Sequence, residues 1–176
     1  MGQEHTEREQ YRTTLMQDIL NLLIKLALII VAAAIVFTFL FGMHRYNDVN
    51  MNPALQEGDL LLYNRMDKDY VSGDVTLLEY DGNVQIQRVI ATAGDVVNIT
   101  EDGYVTVNGG RPEETFVFTE TDAYQEGPVY PYTVPEGEVF VMSDNRTNAA
   151  DSRLYGSVKE ADTYGTVMSV IRRRNI

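Results

Sequence analysis

Few side chains in this sequence are equipped for covalent or acid–base chemistry. There is no cysteine, so thiolate nucleophiles, disulfides and cysteine-ligated metals are absent. The histidines are His5 and His44, both outside the stretch that reads as globular, which argues against a histidine triad or a histidine-rich metal site. Beyond the long apolar run the lysines are Lys68, in "MDKDY", and Lys159, in "SVKEA", and both read as solvated surface. Asp48 and Asp151 are conceivable as a pair sharing one proton. The plainer reading makes Asp48 a loop residue and pairs Asp151 with Arg146 or Arg153. The stretch "YNDVNMNPAL", Tyr46 to Leu55, reads like the threshold of an active site whose reactive group is missing. Asn50 stands directly before Met-x-Pro-Ala-Leu, and an asparagine has no ionisable proton and only a poor nucleophile in its amide nitrogen.

The elements that would hold such a site are legible from patterning. Leu20 to Met43 is a single apolar run, and Leu26 to Met43 is free of charge. At roughly 1.5 Å per residue, eighteen helical residues span about 27 Å, close to a hydrocarbon core. Lys25 lies one turn inside the run, where its stem can snorkel to the headgroups. A cleaved signal peptide fits less well, because Glu4, Glu7, Glu9 and Asp18 precede the run and no small-x-small exit follows. The expected organisation is a cytoplasmic segment over 1–18, a transmembrane helix over 19–43 and an extracytoplasmic domain over 44–176. Arg8, Arg12 and Lys25 against Arg45 place the N-terminus in the cytoplasm. The charge lies beyond the anchor: from Tyr46 onward there are 22 acidic and 10 basic residues, which accounts for the whole net charge of -12. Such a balance excludes a nucleic-acid partner.

After the anchor the signals are strands. Short runs such as "DLLLYNR", "DVTLLEY", "VQIQRVIAT", "DVVNIT", "YVTVNGG", "EVFVMSD" and "YGTVMSVIRRR" alternate with Gly-Asp, Asp-Gly, Asn-Gly and Pro-Glu-Gly turns. No long helix is apparent. The expected class is mainly β, an antiparallel barrel or sandwich behind one transmembrane helix. The acidic stretch from Arg111 to Tyr132 reads as an excursion from the sheet. "NIT" and "NRT" match a glycosylation pattern and read as accidental, and Arg172 to Arg174 reads as a charge cluster at a strand end.

Four segments, in order, resemble the type I signal peptidases, membrane-anchored serine proteases that cut signal peptides from exported proteins. "NMNPAL" (Asn50 to Leu55) is similar to that family's Ser-Met-x-Pro-Thr/Ala-Leu, and "SGDVTLLEY" (Ser72 to Tyr80) to its Gly-Asp-hydrophobic strand. "QRVIATAGD" (Gln87 to Asp95) is similar to Lys-Arg-Val-Ile-Gly-x-x-Gly-Asp. "SDNRTNAADSR" (Ser143 to Arg153) is similar to Gly-Asp-Asn-Arg-x-x-Ser-x-Asp-Ser-Arg. In the family a serine attacks the scissile carbonyl and a desolvated, neutral lysine takes its proton. The resemblance puts Asn50 in the nucleophile's place, Gln87 in the lysine's place, and Ala149 where a serine helps position that lysine. Ser152 falls on a serine that the family does not use as nucleophile.

What the resemblance implies is therefore a retained scaffold with its catalytic groups vacated. The implied peptide cleft runs over Asp48, Val49, Asn50, Met51 and Pro53 on one side and Gln85, Ile86 and Gln87 on the other, where a strand can add through backbone hydrogen bonds. Whether that cleft still takes a peptide or has become a stable polar patch stays open at this level. Arg88, Asp144, Arg146, Asp151 and Arg153 are expected to brace it as an ion network. Family members lacking the dyad stand beside genes for sortase-assembled pili of Gram-positive bacteria and act as accessory or chaperone-like factors. By resemblance the partners are pilin subunits or a sortase at the cell membrane, with no cofactor and no metal. The alternatives are an active signal peptidase with an atypical site, and a non-cleaving holder of signal-peptide ends that regulates a true peptidase.

Overall fold

The computed structural model describes residues 2–147 and 149–172, so Arg173 and Arg174 of the terminal arginine cluster lie outside the described residues. The chain divides into two compact units, Met1–Leu40 and Phe41–Ile176. The first is a single helix, α1 (Gly2–Leu40). From Gln3 to Phe41 there is no glycine or proline to interrupt it. Its Leu15–Leu40 part is long and apolar enough to cross a membrane, with a mean hydropathy of 2.8. Consecutive residues Leu28, Ile29, Ile30 and Val31 are all exposed, so the helix is apolar on every side, as a lipid-facing segment requires.

The helix stops at Leu40, three residues before the apolar run does. Phe41–Arg45 is strand β1, not the end of the anchor, and it pairs antiparallel with β2 (Leu60–Asn64), Phe41 opposite Asn64 and Arg45 opposite Leu60. A continuous apolar run is silent on where helix gives way to strand; the ladder partner decides.

The second unit adds β3 (Val75–Tyr80), β4 (Asn83–Ala91), β5 (Val96–Ile99), β6 (Val105–Val107), β7 (Tyr132–Thr133) and β8 (Glu138–Met142). A short helix α2 (Ser152–Tyr155) follows, then β9 (Val158–Lys159), a 3-10 turn and β10 (Thr163–Ile171). Pairing is antiparallel throughout: a seven-stranded sheet in the order β1-β2-β10-β3-β4-β8-β9 and a three-stranded sheet β6-β5-β7. The β3–β4 hairpin is closed by Asp81 and Gly82, both at positive φ (50° and 73°), the geometry for which Asp-Gly is preferred.

Three apolar clusters hold the domain. Tyr46, Met51, Leu55, Leu61, Tyr63, Leu77 and Ile86 pack together near the β2, β3 and β4 strands. Ile90, Val97, Val105, Val134, Phe140 and Met142 bind the small sheet to β4 and β8. Tyr70, Leu78, Val89, Val139 and Val141 form the third. Each large side chain so buried contributes about 1.5–3 kcal/mol. Met51 and Ile86 belong to the first cluster, so the two sides of the expected cleft share one core.

Candidate functional site

The segment carrying Asn50 is a tight loop rather than a strand. Tyr46 donates its amide to Asp59 O (2.8 Å) and accepts from Gly58 N (2.8 Å), closing the loop at its base. The buried Tyr46 hydroxyl accepts from Met51 N at 2.7 Å, which fixes the backbone beside Asn50. Burial pushes the Tyr46 phenol up to about 12, so it stays neutral. Asp48 caps the turn: its Oδ1 accepts from Val49 N (2.6 Å) and its Oδ2 from Asn50 Nδ2 (2.8 Å). Asn50 O accepts from Asn145 N at 2.8 Å, tying the loop to the segment after β8. Val49 and Pro53 are exposed, whereas Met51 is buried.

Gln87 sits on β4 opposite Thr76 and has 0% exposure. All of its amide capacity is directed. Nε2 donates to Ala150 O (3.2 Å) and to Gln85 Oε1 (3.3 Å), and Oε1 accepts from Ser143 Oγ (3.0 Å). A buried amide without partners is destabilising, so this arrangement is what allows a glutamine to stay in the core. Ala149, which precedes the Ala150 that Gln87 bonds, is buried, and its carbonyl accepts from Tyr124 Oη at 2.9 Å. Among the described residues the amides of Asn50 and Gln87 do not bond each other. The two residues meet the same short segment instead, Gln87 through its side chain at Ser143 and Asn50 through its backbone carbonyl at Asn145 N.

The charged residues do not form one continuous network; they form separate pairs. Arg88 clamps Asp144 with two bonds, Nε to Oδ1 at 2.7 Å and Nη2 to Oδ2 at 2.6 Å. Arg153 does the same to Asp151, at 2.9 and 2.8 Å, and both side chains are buried. Asp151 also caps α2 through Arg153 N and accepts from Ser143 N. Of the two arginines open to it from the sequence, Asp151 takes Arg153. Arg146 pairs with Glu114 and donates to Thr121 Oγ1 (2.8 Å) and Ser143 O (2.9 Å), so it pins the 111–131 excursion against the segment after β8.

Among the described residues, the other candidate nucleophiles and bases near the site are committed elsewhere. Ser152 is buried with Oγ accepting from Val141 N at 2.9 Å. The Ser143 hydroxyl is committed to Gln87. Asp151 is neutralised by Arg153, while Asp48 is exposed and bonded within its own turn, so the two do not form a proton-sharing dyad. Lys68 is half-buried rather than fully solvated, donating to Ala161 O at 2.8 Å.

One edge of β4 lacks a ladder partner, and it reaches solvent over Asn83–Gln85, since Ile86 and Gln87 are buried. β4 pairs with β3 over Asn83–Arg88 but with β8 only from Arg88 to Ala91, so Asn83–Gln87 has a ladder partner on one side alone. Sequence reasoning missed Ser143 and Tyr46, the groups that hold Gln87 and Met51. Ser143 had a signal: it stands where the resembling motif carries glycine.

A membrane-type helix followed by an antiparallel β domain, with these motifs in this order, defines the architecture of a signal-peptidase-like protein. Residues 19–171 match the family described as Signal peptidase, peptidase S26, and the chain belongs to that family. It is 27% identical over 159 residues to "Signal peptidase I" of Bacillus amyloliquefaciens, covering 82% of this chain and 83% of that one. It is 32% identical over 139 residues to "Signal peptidase I P" of Bacillus subtilis subsp. natto, covering 71% and 75%. A crystal structure of a signal peptidase I from Enterococcus faecalis V583 aligns with a TM-score of 0.48 at 26% identity, covering 58% of this chain and 99% of that one.

Proposed function

We propose that this protein is a catalytically inactive member of its family, an accessory or chaperone-like factor for sortase-mediated pilus assembly. In this reading α1 is a single-pass anchor with its N-terminus in the cytoplasm, and the β domain stands on the outer face of the membrane. The observation that carries the inactivity is Gln87: a fully buried amide whose donors and acceptor are already bonded has no basicity near neutral pH and no vacancy for a substrate proton. Asn50, bonded to Asp48, supplies no hydroxyl to activate. The one-sided edge of β4, which reaches solvent over Asn83–Gln85, supports a retained peptide site, because backbone pairing needs no catalytic dyad. An extended pilin segment or a sortase loop is the proposed guest.

The test is cleavage of a preprotein by the purified full-length chain in detergent. An authentic signal peptidase and the triple variant Asn50→Ser, Gln87→Lys, Ala149→Ser run beside it. The expected result is no product from the wild type. Cleavage that persists through repurification and is lost on changing one residue would overturn the inactive reading. For the assembly role, pilin polymers are followed by immunoblot in a strain lacking this protein. Polymer length unchanged by the deletion would count against it.

A further inference from the structure

A cavity of about 270 Å³ opens between the end of β3 and the segment from α2 through β9. Two of its walls are Tyr80 and Tyr155, whose rings stack with centroids 4.3 Å apart and 30° between planes. The other chemistry facing it is acidic: Glu79, Glu138 and Asp162, against one cation, Lys159. Glu79 accepts from the Tyr164 hydroxyl and Glu138 from the Ser157 hydroxyl. Among the described residues, none of the three carboxylates is ion-paired with an arginine or lysine; the pairs that form are Arg88–Asp144, Arg146–Glu114, Arg153–Asp151 and Arg172–Asp59. Independently, the Tyr155 hydroxyl is buried and has no hydrogen-bond partner among the described residues, although buried hydroxyls are normally paired.

The cavity also has a defined relation to the free edge of β4. Its Tyr80 lies opposite Asn83 in the β3–β4 ladder, and its Leu78 lies opposite Gln85. Leu78 and Tyr80 therefore share a sheet face with Gln85 and Gln87, since alternate residues of paired strands point the same way. We infer that this cavity is a subsite for an arginine side chain carried by an extended peptide that pairs with Asn83–Gln85. A guanidinium suits it better than an ammonium, because a planar cation stacks on tyrosine faces and offers several donors to flanking carboxylates. This rests on the peptide-binding reading above.

The test uses the full-length chain in detergent micelles and a short fluorescein-labelled peptide of alternating valine and threonine with one central arginine. Its sibling carries citrulline, which keeps the shape and loses the charge. By fluorescence anisotropy the arginine peptide is expected to bind about tenfold more tightly. In the Glu138→Gln, Asp162→Asn double variant, with near-ultraviolet circular dichroism showing an unchanged melting midpoint, that preference falls below about twofold. Agmatine, titrated while following tyrosine fluorescence, tests the cation alone. Equal binding of both peptides by the wild type overturns the subsite and leaves the peptide cleft standing. A preference that survives the double variant also overturns it. If neither peptide binds but agmatine changes the wild-type signal and not the variant's, the subsite stands and strand addition falls. No response to any of the three probes overturns both.

Discussion

Returning a lysine to position 87 is the sharpest probe of the site. Gln87 has no exposed surface, and its polar neighbours are a hydroxyl, a backbone carbonyl and another amide, with no unpaired carboxylate among its bonded partners. Asp151, the anion nearest in the hydrogen-bond chain through Ser143, is already neutralised by Arg153. An ammonium there is desolvated with nothing opposite to it, a setting that lowers a lysine by about 3 units from about 10.4. At about 1.36 kcal/mol per unit, Gln87→Lys loses roughly 4 kcal/mol near pH 7 through this effect. The sign follows from proton counts. Between the lowered folded value and about 10.4 the unfolded chain holds one more proton than the folded one, so the variant gains stability as pH rises. The gain is about 1.4 kcal/mol per pH unit relative to wild type. Ten of the eleven tyrosines lie beyond the anchor, so urea unfolding followed by the near-ultraviolet tyrosine signal reports on the β domain even with α1 present in micelles. A difference between variant and wild type that stays flat from pH 7 to pH 9.5 would refute the reasoning, because it would mean that the lysine keeps its charge and the site is wet.

Two further perturbations address the supports of the site. Asp151→Asn leaves the buried Arg153 without its counter-ion and is expected to lower stability by about 3–5 kcal/mol in urea unfolding, and a loss under about 1 kcal/mol would show that Arg146 O and Asp122 O suffice for Arg153. Asp59 is pushed up by burial, but hydrogen bonds from Arg172 and the Gln56 amide outweigh this and hold its carboxyl below the ordinary aspartate value. That contribution is present above pH about 4 and lost as pH falls through the folded value. Arg172→Ala should therefore melt earlier than wild type at neutral pH and converge with it below about pH 4, whereas a constant gap across the range would contradict the linkage.

The strand content was readable because short apolar or alternating runs stand between turn residues, as in "DVTLLEY", which became β3, and "VQIQRVIAT", which covers most of β4. β7 and β9 were not readable, since each is two residues long and forms only because a neighbour, β5 or β8, offers a free edge. Phe41–Met43 was placed in the helix for the same reason: apolar residues next to an apolar helix carry no local mark of the β2 ladder. The ion pairs show the limit at the site. Residue types announced that buried carboxylates and guanidiniums would meet, but Glu114 as the partner of Arg146 lies 32 positions away in an acidic excursion, where several carboxylates were equally eligible.

By itself the sequence determined the membrane-type helix, the antiparallel β class and the family, because these depend on composition, periodicity and ordered motifs that need no third dimension. It also determined that positions 50, 87 and 149 carry no serine or lysine. Only the tertiary structure decided what the replacements do. Gln87 is satisfied because two groups from distant segments, Ser143 and Ala150, join its strand neighbour Gln85 on one buried amide. Likewise, the edge of β4 before Arg88 lacks a second ladder partner because β8 begins its pairing there and no earlier. Both outcomes are matters of which non-local partner arrives at a given atom, and a buried polar group must take whatever partner the fold brings to it.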